Sequence, residues 1–161
     1  MRIQGAWGPF EAAYVRALVI NEEVGIRGVV RFLIDSGASR TNILDSDAER
    51  LALDYDQLEE FAPGTTGIGG TVETFILPDM RLIFRTAAGF HEERLSQLFG
   101  LRHVIHEPEV AERIKKLPSL LGRDIRNKYR VILDWTRNLV VITAERRGMV
   151  SSTGDTRCNN K

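Results

Sequence analysis

Cysteine and net charge are the two things this sequence most clearly lacks. Cys158 is the one cysteine among 161 residues, so no disulfide can form within the chain, and we expect a reducing, cytoplasmic setting. The 22 basic side chains are balanced by 22 acidic ones. Because nucleic-acid-binding domains are normally basic overall, this balance argues against nucleic acid as a partner.

Long apolar runs are missing as well. No apolar run approaches the roughly 20 residues that a membrane-spanning helix needs. Residues 1–15 (MRIQGAWGPFEAAYV) lack a basic region followed by an apolar core, so we expect neither a signal peptide nor a membrane partner. What the sequence does have is 43% hydrophobic and 27% charged residues, which is ordinary for a soluble domain with a real core.

Alternating, β-branched segments account for most of that hydrophobic content. Residues 14–20 and 26–34 predict an N-terminal hairpin, and residues 129–133 and 139–143 predict a C-terminal one. A further short strand is expected at 41–44. These strands are too short and too closely spaced for an α/β sheet with crossover helices, and they favour an all-β, closed structure.

Helix signals are few. Ser46 and Glu49 match a capping box, which predicts a helix over residues 47–53. Residues 94–105 are predicted to hold strands, and residues 109–116 a second short helix. The polar segment 146–161 predicts a disordered C-terminal tail, which leaves residues 1–145 as one domain.

Three motifs carry candidate chemistry. FLIDSGAS (32–39) runs three apolar residues into Asp35, GTTGIGGTVETF (64–75) predicts a glycine-rich hairpin with a mobile tip, and LLGRD (120–124) follows much later. Each has an ordinary interpretation: Asp-Ser-Gly is a common turn triplet, and Asp124 could be a capping residue beside a solvated Arg123. The three motifs matter because they occur together and in this order.

In this order the motifs resemble those of the retropepsin-like aspartic protease family. That family has an apolar strand running into Asp-Thr/Ser-Gly-Ala, then a glycine-rich flap, then an apolar-apolar-Gly-Arg-Asn/Asp element. The resemblance covers roughly residues 14–142, although only the three motifs anchor it. It implies an all-β, closed acid protease barrel with one lobe per chain, acting as an aspartic endopeptidase with no cofactor and no metal.

The resemblance also implies roles for particular residues. Asp35 would be catalytic, and because the chain has only one such triplet, a homodimer would bring two copies of Asp35 together. Two carboxylates sharing one proton can then activate a water. The active-site loop would be supported by Ser36, Gly37, Ala38, Arg123 and Asp124. A flap of Gly67, Ile68, Gly69 and Gly70 would close over an extended peptide or protein substrate.

One departure from the family pattern leaves an alternative open. Many viral relatives carry an acidic residue two positions after the motif's glycine, where it pairs with the arginine of the later element. Here that position is Ser39, so Arg123 is predicted to bind Asp45, Asp47 or a backbone carbonyl instead. The alternative function is a catalytically weak or inactive dimerisation or peptide-binding module.

The remaining candidates receive structural interpretations. His103 and His106 would need further ligands to bind a metal, and we expect them at a surface or interface. Asp134 follows a strand as Asp35 does, but DWTRN (134–138) has no glycine, so we interpret it as turn chemistry.

Overall fold

The computed structural model describes residues 1–61, 65–67, 70–104 and 107–144; for residues 65–67, 70 and 71 only the backbone is described. The flap residues Ile68 and Gly69 predicted from the sequence lie outside these ranges. So do His106, Cys158 and the segment 146–161.

Strands make up most of the described chain. They are β1 (Arg2–Gln4), β2 (Ala6–Trp7), β3 (Ala13–Asn21), β4 (Ile26–Ile34), β5 (Asn42–Ile43), β6 (Glu59–Glu60), β7 (Thr65–Gly67), β8 (Gly70–Thr86), β9 (Gly89–His103), β10 (Leu120–Leu121), β11 (Arg130–Asp134) and β12 (Leu139–Thr143).

Helices are short. They are α1 (Asp45–Arg50), α2 (Pro108–Ile114) and α3 (Arg123–Arg126), with 3₁₀ turns at Pro9–Glu11 and Tyr55–Gln57. Among the described residues, no helix is both long enough and apolar enough to cross a membrane.

Six strands close on themselves to form a barrel. Around the ring, β8 pairs with β9, β9 with β5, β5 with β10, β10 with β4, β4 with β3, and β3 with β8 again. The β5–β9 and β10–β4 pairs are parallel, and the other four are antiparallel. The expectation of an all-β closed barrel with few short helices is therefore confirmed.

Buried apolar side chains of β3 and β4, which alternate with outward-facing residues, fill the barrel. Val19, Val30 and Phe32 are fully buried, and Leu82 of β8 and Leu98 of β9 meet them in the same core. Because successive strand residues point to opposite faces, one face of each strand can line the core while the other faces outward. Burying a side chain of this size contributes roughly 1.5–3 kcal/mol, so these positions hold the scaffold together.

Both predicted hairpins are confirmed. The N-terminal one is β3 and β4, joined by an antiparallel ladder from Tyr14↔Leu33 to Asn21↔Ile26. The C-terminal one is β11 and β12. The predicted helix at 109–116 is present as α2.

The predicted start of the first helix is wrong. The helix α1 begins at Asp45, its N-cap is Leu44, and no side chain caps it, so the Ser46 capping box does not form. At the N-cap that is observed, the backbone N–H of Leu44 donates to Ser119 Oγ over 3.2 Å. The N-terminus of α1 is therefore held by a residue distant in sequence and not by the predicted capping box.

Candidate active site

Asp35 stands at the end of β4, and its backbone is held by β10. The amide of Leu33 donates to the carbonyl oxygen of Ser119 over 2.8 Å, and the amide of Asp35 donates to that of Leu121 over 3.1 Å. The parallel β10–β4 register places Leu121 opposite Ile34. Leu33, two residues before Asp35, is thus fixed to the residue that precedes β10, and Asp35 itself is fixed to the last residue of β10.

The Asp35 side chain is half-buried and engaged mainly within its own loop. Its Oδ1 accepts from the amide of Gly37 over 2.7 Å, and Ser36 and Gly37 are exposed. A methyl group on Gly37 would lie 3.2 Å from Asp35 Oδ1, closer than a comfortable contact. Among the described residues, no other hydrogen bond to this carboxylate is recorded, so it keeps acceptor capacity beyond the bond from Gly37.

The far side of the loop is held by the backbone of the third motif. The amide of Arg123 donates to the carbonyl oxygen of Ala38 over 2.9 Å. The Arg123 side chain itself is exposed, and no hydrogen bond or ion pair of its guanidinium is recorded with the described residues. In a single chain, Arg123 therefore contacts the loop through its main chain.

The acidic partners predicted for Arg123 are occupied elsewhere. Asp45 binds His103, with its Oδ2 2.5 Å from the His103 ring nitrogen Nδ1. Asp47 accepts from Ser119 Oγ over 2.7 Å and pairs with Arg50. The predicted pairing of Arg123 with Asp45 or Asp47 is therefore wrong.

A threonine just after the loop joins it to the third motif. Thr41 donates to Asp124 twice, from Oγ1 to Oδ1 over 2.7 Å and from its amide to Oδ2 over 2.9 Å. Thr41 Oγ1 also accepts from the amide of Gly122 over 3.1 Å, and Thr41 is fully buried. Because hydrogen bonds to a charged group are roughly twice as strong as neutral ones, this cluster is a firm attachment.

Gly122 permits that attachment by its lack of a side chain. A Cβ there would lie 2.3 Å from the carbonyl carbon of Arg40, 2.4 Å from its oxygen and 2.7 Å from the amide nitrogen of Thr41. These are backbone atoms, which cannot rotate away. The loop and the third motif can therefore pack this closely only with glycine at position 122.

The glycine-rich motif forms a hairpin, as the sequence predicts. β7 and the start of β8 pair antiparallel, with Thr65 opposite Val72 and Gly67 opposite Gly70. Val72 pairs on its other side with His103, the last residue of β9. We call the region around Val72 and His103 the hairpin root, because the hairpin extends from the barrel at this point.

Comparison with solved structures identifies the fold. The chain is similar to a retropepsin-like aspartic protease from Rickettsia conorii, with 17% sequence identity, 88% of this chain and 89% of that chain covered, and a TM-score of 0.53. It is also similar to EIAV protease bound to an inhibitor, with 16% identity, 75% of this chain and 90% of that chain covered, and a TM-score of 0.44. No family model and no curated protein matches the chain. The chain adopts the retropepsin-like aspartic protease fold.

The contacts of three residues in or near the site were not predicted from the sequence. Thr41 was interpreted only as the start of a strand, and Ser119 was not singled out. His103 was expected at a surface or interface; it is not at the surface of this chain, because it is only 9% exposed. Their partners lie far away in sequence, and the one local signal was that Ser119 directly precedes an apolar strand residue, Leu120. Among the described residues, no three His, Cys, Asp or Glu side chains form a group that could hold a metal ion.

Proposed function

We propose that this protein is an aspartic endopeptidase that acts as a homodimer, with Asp35 of each copy as the catalytic residue. The observation that carries the proposal is the Asp35 carboxylate itself. It lies half-buried at the end of a strand fixed by β10, and Gly37 supplies its one recorded hydrogen bond among the described residues. A rigidly held backbone carrying an available carboxylate is the arrangement that a catalytic group needs.

The chemistry requires a second carboxylate. Two carboxylates about 3 Å apart cannot both ionise easily, so they share a proton, and one acts as base while the other acts as acid. The base removes a proton from water, whose oxygen attacks the peptide carbonyl carbon, while the acid protonates the carbonyl oxygen. The carboxyl that took the proton from water then donates it to the amide nitrogen, the other carboxylate takes back a proton from a hydroxyl of the intermediate, and the C–N bond breaks. Because FLIDSGAS occurs once in the chain, the second Asp35 would come from another copy.

The proposed substrate is a peptide in extended conformation. The hairpin of β7 and β8 would lie over it and hydrogen-bond its backbone, as edge strands do when they bind peptides. Closure of such a hairpin would also exclude water from the reaction. The glycines at its turn allow the close backbone approach that this role requires.

Asp35→Asn tests the proposal, because it keeps the shape of the side chain and removes the ionisable group. We expect the variant to remain a folded dimer by solution mass and circular dichroism while peptide cleavage is lost. Cleavage by the variant at the parental rate would refute the proposal. A parent that stays monomeric at concentrations at which it cleaves would refute the shared-dyad arrangement.

The second candidate function is a peptide-binding or dimerisation module without useful proteolysis. The observation in its favour is the exposed Arg123 side chain, which lacks the acidic partner expected two residues after Gly37. The two candidates differ in one measurement. A parent that binds peptides but cleaves none of them between acidic and neutral pH, and that does not bind a pepstatin-type inhibitor, would favour the module.

A further inference from the structure

The first turn of α1 holds the hairpin root through a side chain. The backbone amide of His103 donates to Asp45 Oδ1 over 2.9 Å, and the His103 ring nitrogen Nδ1 lies 2.5 Å from Asp45 Oδ2. The His103 side chain is 5% exposed and that of Asp45 21% exposed. A bidentate contact with this little exposure restrains both partners more than a surface ion pair would.

Neighbouring residues reinforce the same attachment. The Tyr55 hydroxyl donates to the carbonyl oxygen of Leu101 over 3.0 Å. The Arg102 guanidinium lies over the rings of Tyr55 and Phe75, at 5.2 and 4.9 Å, and pairs with Glu73 across β8 and β9 over 2.7 Å. Burial, and after it the charge of Asp45, raise the pKa of Tyr55, so its hydroxyl stays a donor. The last residues of β9 are therefore held by Asp45 and Tyr55 and by Glu73 of β8.

The same turn of α1 also holds the strand that carries Asp35. Asp47 Oδ2 accepts from Ser119 Oγ over 2.7 Å, and Ser119 is fully buried. The carbonyl oxygen of Ser119 in turn accepts from the amide of Leu33, two residues before Asp35. Asp45 and Asp47 thus connect, from one helical turn, the root of the hairpin and the strand beneath the candidate catalytic residue.

We infer that Asp45, Asp47, His103 and Ser119, here called the α1 bridge, are positioning residues that set the height of the glycine-rich hairpin above Asp35. This inference rests on the proposed function, because it assumes that a peptide binds between the hairpin and Asp35. A β-hairpin that projects from a barrel can tilt about its root. A side-chain bridge from that root to the floor of the site removes this freedom, and substrate then binds to an already ordered hairpin.

The first test removes one contact of the bridge. In His103→Leu, we expect faster amide hydrogen exchange in residues 70–77 and 99–103, and unchanged exchange in β11 and β12. For peptide cleavage, KM should rise about tenfold while kcat falls much less, because substrate binding is weakened and the Asp35 pair is untouched. The pH profile of kcat should stay where it is in the parent.

Two further variants separate positioning from general damage. His103→Asn keeps an N–H donor at the δ position and should restore most of the affinity. His91→Leu is the matched control, because His91 lies at the opposite end of β9 and also contacts a carboxylate, with its Nε2 2.9 Å from Glu93 Oε1. We expect His91→Leu to leave KM unchanged, since it does not touch the bridge.

The second test asks whether both halves of the bridge act together. Ser119→Ala removes the contact with Asp47 and also the acceptor for the Leu44 amide at the start of α1, and should raise KM as His103→Leu does. The double variant should then show less than the product of the two effects, because either break already frees the hairpin. Tyr129→Phe, which loses a hydrogen bond from a half-buried hydroxyl to Glu93, controls for lost stability alone.

Each outcome decides one question. Unchanged exchange at the hairpin root in His103→Leu would overturn the bridge, as would an equal KM increase in His91→Leu or a shifted kcat profile. A parent that cleaves nothing would instead refute the proposed protease function. The exchange data and the peptide affinities of the same variants would then still test the bridge, since a peptide-binding module would use the same cleft.

Discussion

Two strand ends of this protein look alike in sequence and differ in structure. β4 runs Phe-Leu-Ile into Asp35, and β11 runs Val-Ile-Leu into Asp134. In both, an apolar strand ends at an aspartate that begins a turn. The use of each carboxylate depends on which partners surround it.

Asp134 is occupied by its own turn. Its Oδ1 accepts from Thr136 Oγ1 over 2.7 Å and from the amide of Arg137 over 3.1 Å, and Oδ2 lies 3.6 Å from Arg137 Nε. The hydrogen bond from Thr136, followed by that from the Arg137 amide, lowers the pKa of Asp134. Every one of these partners lies within three residues, so the carboxylate serves the hairpin turn.

The Asp35 end is built from distant parts of the chain. Only Gly37 contacts the carboxylate locally, while Leu121, Arg123 and Asp124 hold the backbone on either side of the loop. Long-range support of the backbone leaves the Asp35 carboxylate available, whereas contacts within its own turn occupy that of Asp134.

The largest effect is expected from exchanging the two carboxylates for amides. Asp35→Asn should lower kcat by at least about a thousandfold, a size typical of losing an acid–base group. Asp134→Asn should leave kcat within about twofold, as surface substitutions away from a site do. Peptide cleavage assays on both variants check this, and comparable losses in the two would break the comparison.

The next effect is on stability and concerns Gly122. Its φ of −82° is open to any residue, so the penalty for Gly122→Ala is purely steric. Because the new methyl group would meet backbone atoms of Arg40 and Thr41, we expect a loss of about 3 kcal/mol in the free energy of unfolding, together with lost cleavage.

The control for Gly122→Ala is Gly25, in the turn between β3 and β4. Gly25 has a φ of +70° and open space around it, so Gly25→Ala pays only the left-handed backbone cost of about 1 kcal/mol. Urea denaturation of both variants measures the difference. Equal losses would mean that the close packing at Gly122 contributes nothing.

A smaller effect on the free energy of unfolding is expected from removing one hydroxyl near Asp35 and one near Asp134. Thr41→Val removes, from a fully buried side chain, the donor to Asp124 and the acceptor for the amide of Gly122, and should cost about 2 kcal/mol. Thr136→Val loses a similar contact with Asp134 at an exposed turn and should cost less than about 0.5 kcal/mol. Denaturation curves measure both losses. A larger loss in Thr136→Val than in Thr41→Val would contradict the idea that Thr41 and Asp124 support the Asp35 loop.

The smallest effect is the pH dependence of the Asp134 turn. Because the folded pKa of Asp134 is depressed below its ordinary value of 3.8, its contribution to stability is present above that value and lost as the pH falls through the folded pKa. Asp134→Ala should therefore flatten the loss of stability below pH 3.8 slightly. Denaturation measured from neutral pH down to this range checks the sign, and a steeper loss in the variant would contradict it.

Local pattern in the chain was enough to predict the strands of the two terminal hairpins, but not β1, β2, β6 or β10. β4 has the bounds 26–34 that its alternation predicts, and β3 differs from its predicted range by one residue at each end. The glycines of the second motif were enough to predict a hairpin, and the order of the three motifs was enough to indicate the fold. These features depend on neighbours in sequence, on side-chain periodicity and on backbone freedom, all of which can be read without the tertiary structure.

Closure of the barrel decided which polar side chains became buried and which partners they bind. The capping box at Ser46 did not form, Ser119 bonds the N-cap amide of Leu44, and His103, expected at a surface or interface, is buried against Asp45. Thr41 and Asp124 are 83 residues apart in sequence and meet only when β5, β10 and β4 come together. The partners of a polar side chain are set by the tertiary structure. Asp35 and Asp134 therefore share a sequence pattern, an apolar strand ending at an aspartate, but differ in their partners and in how available their carboxylates are.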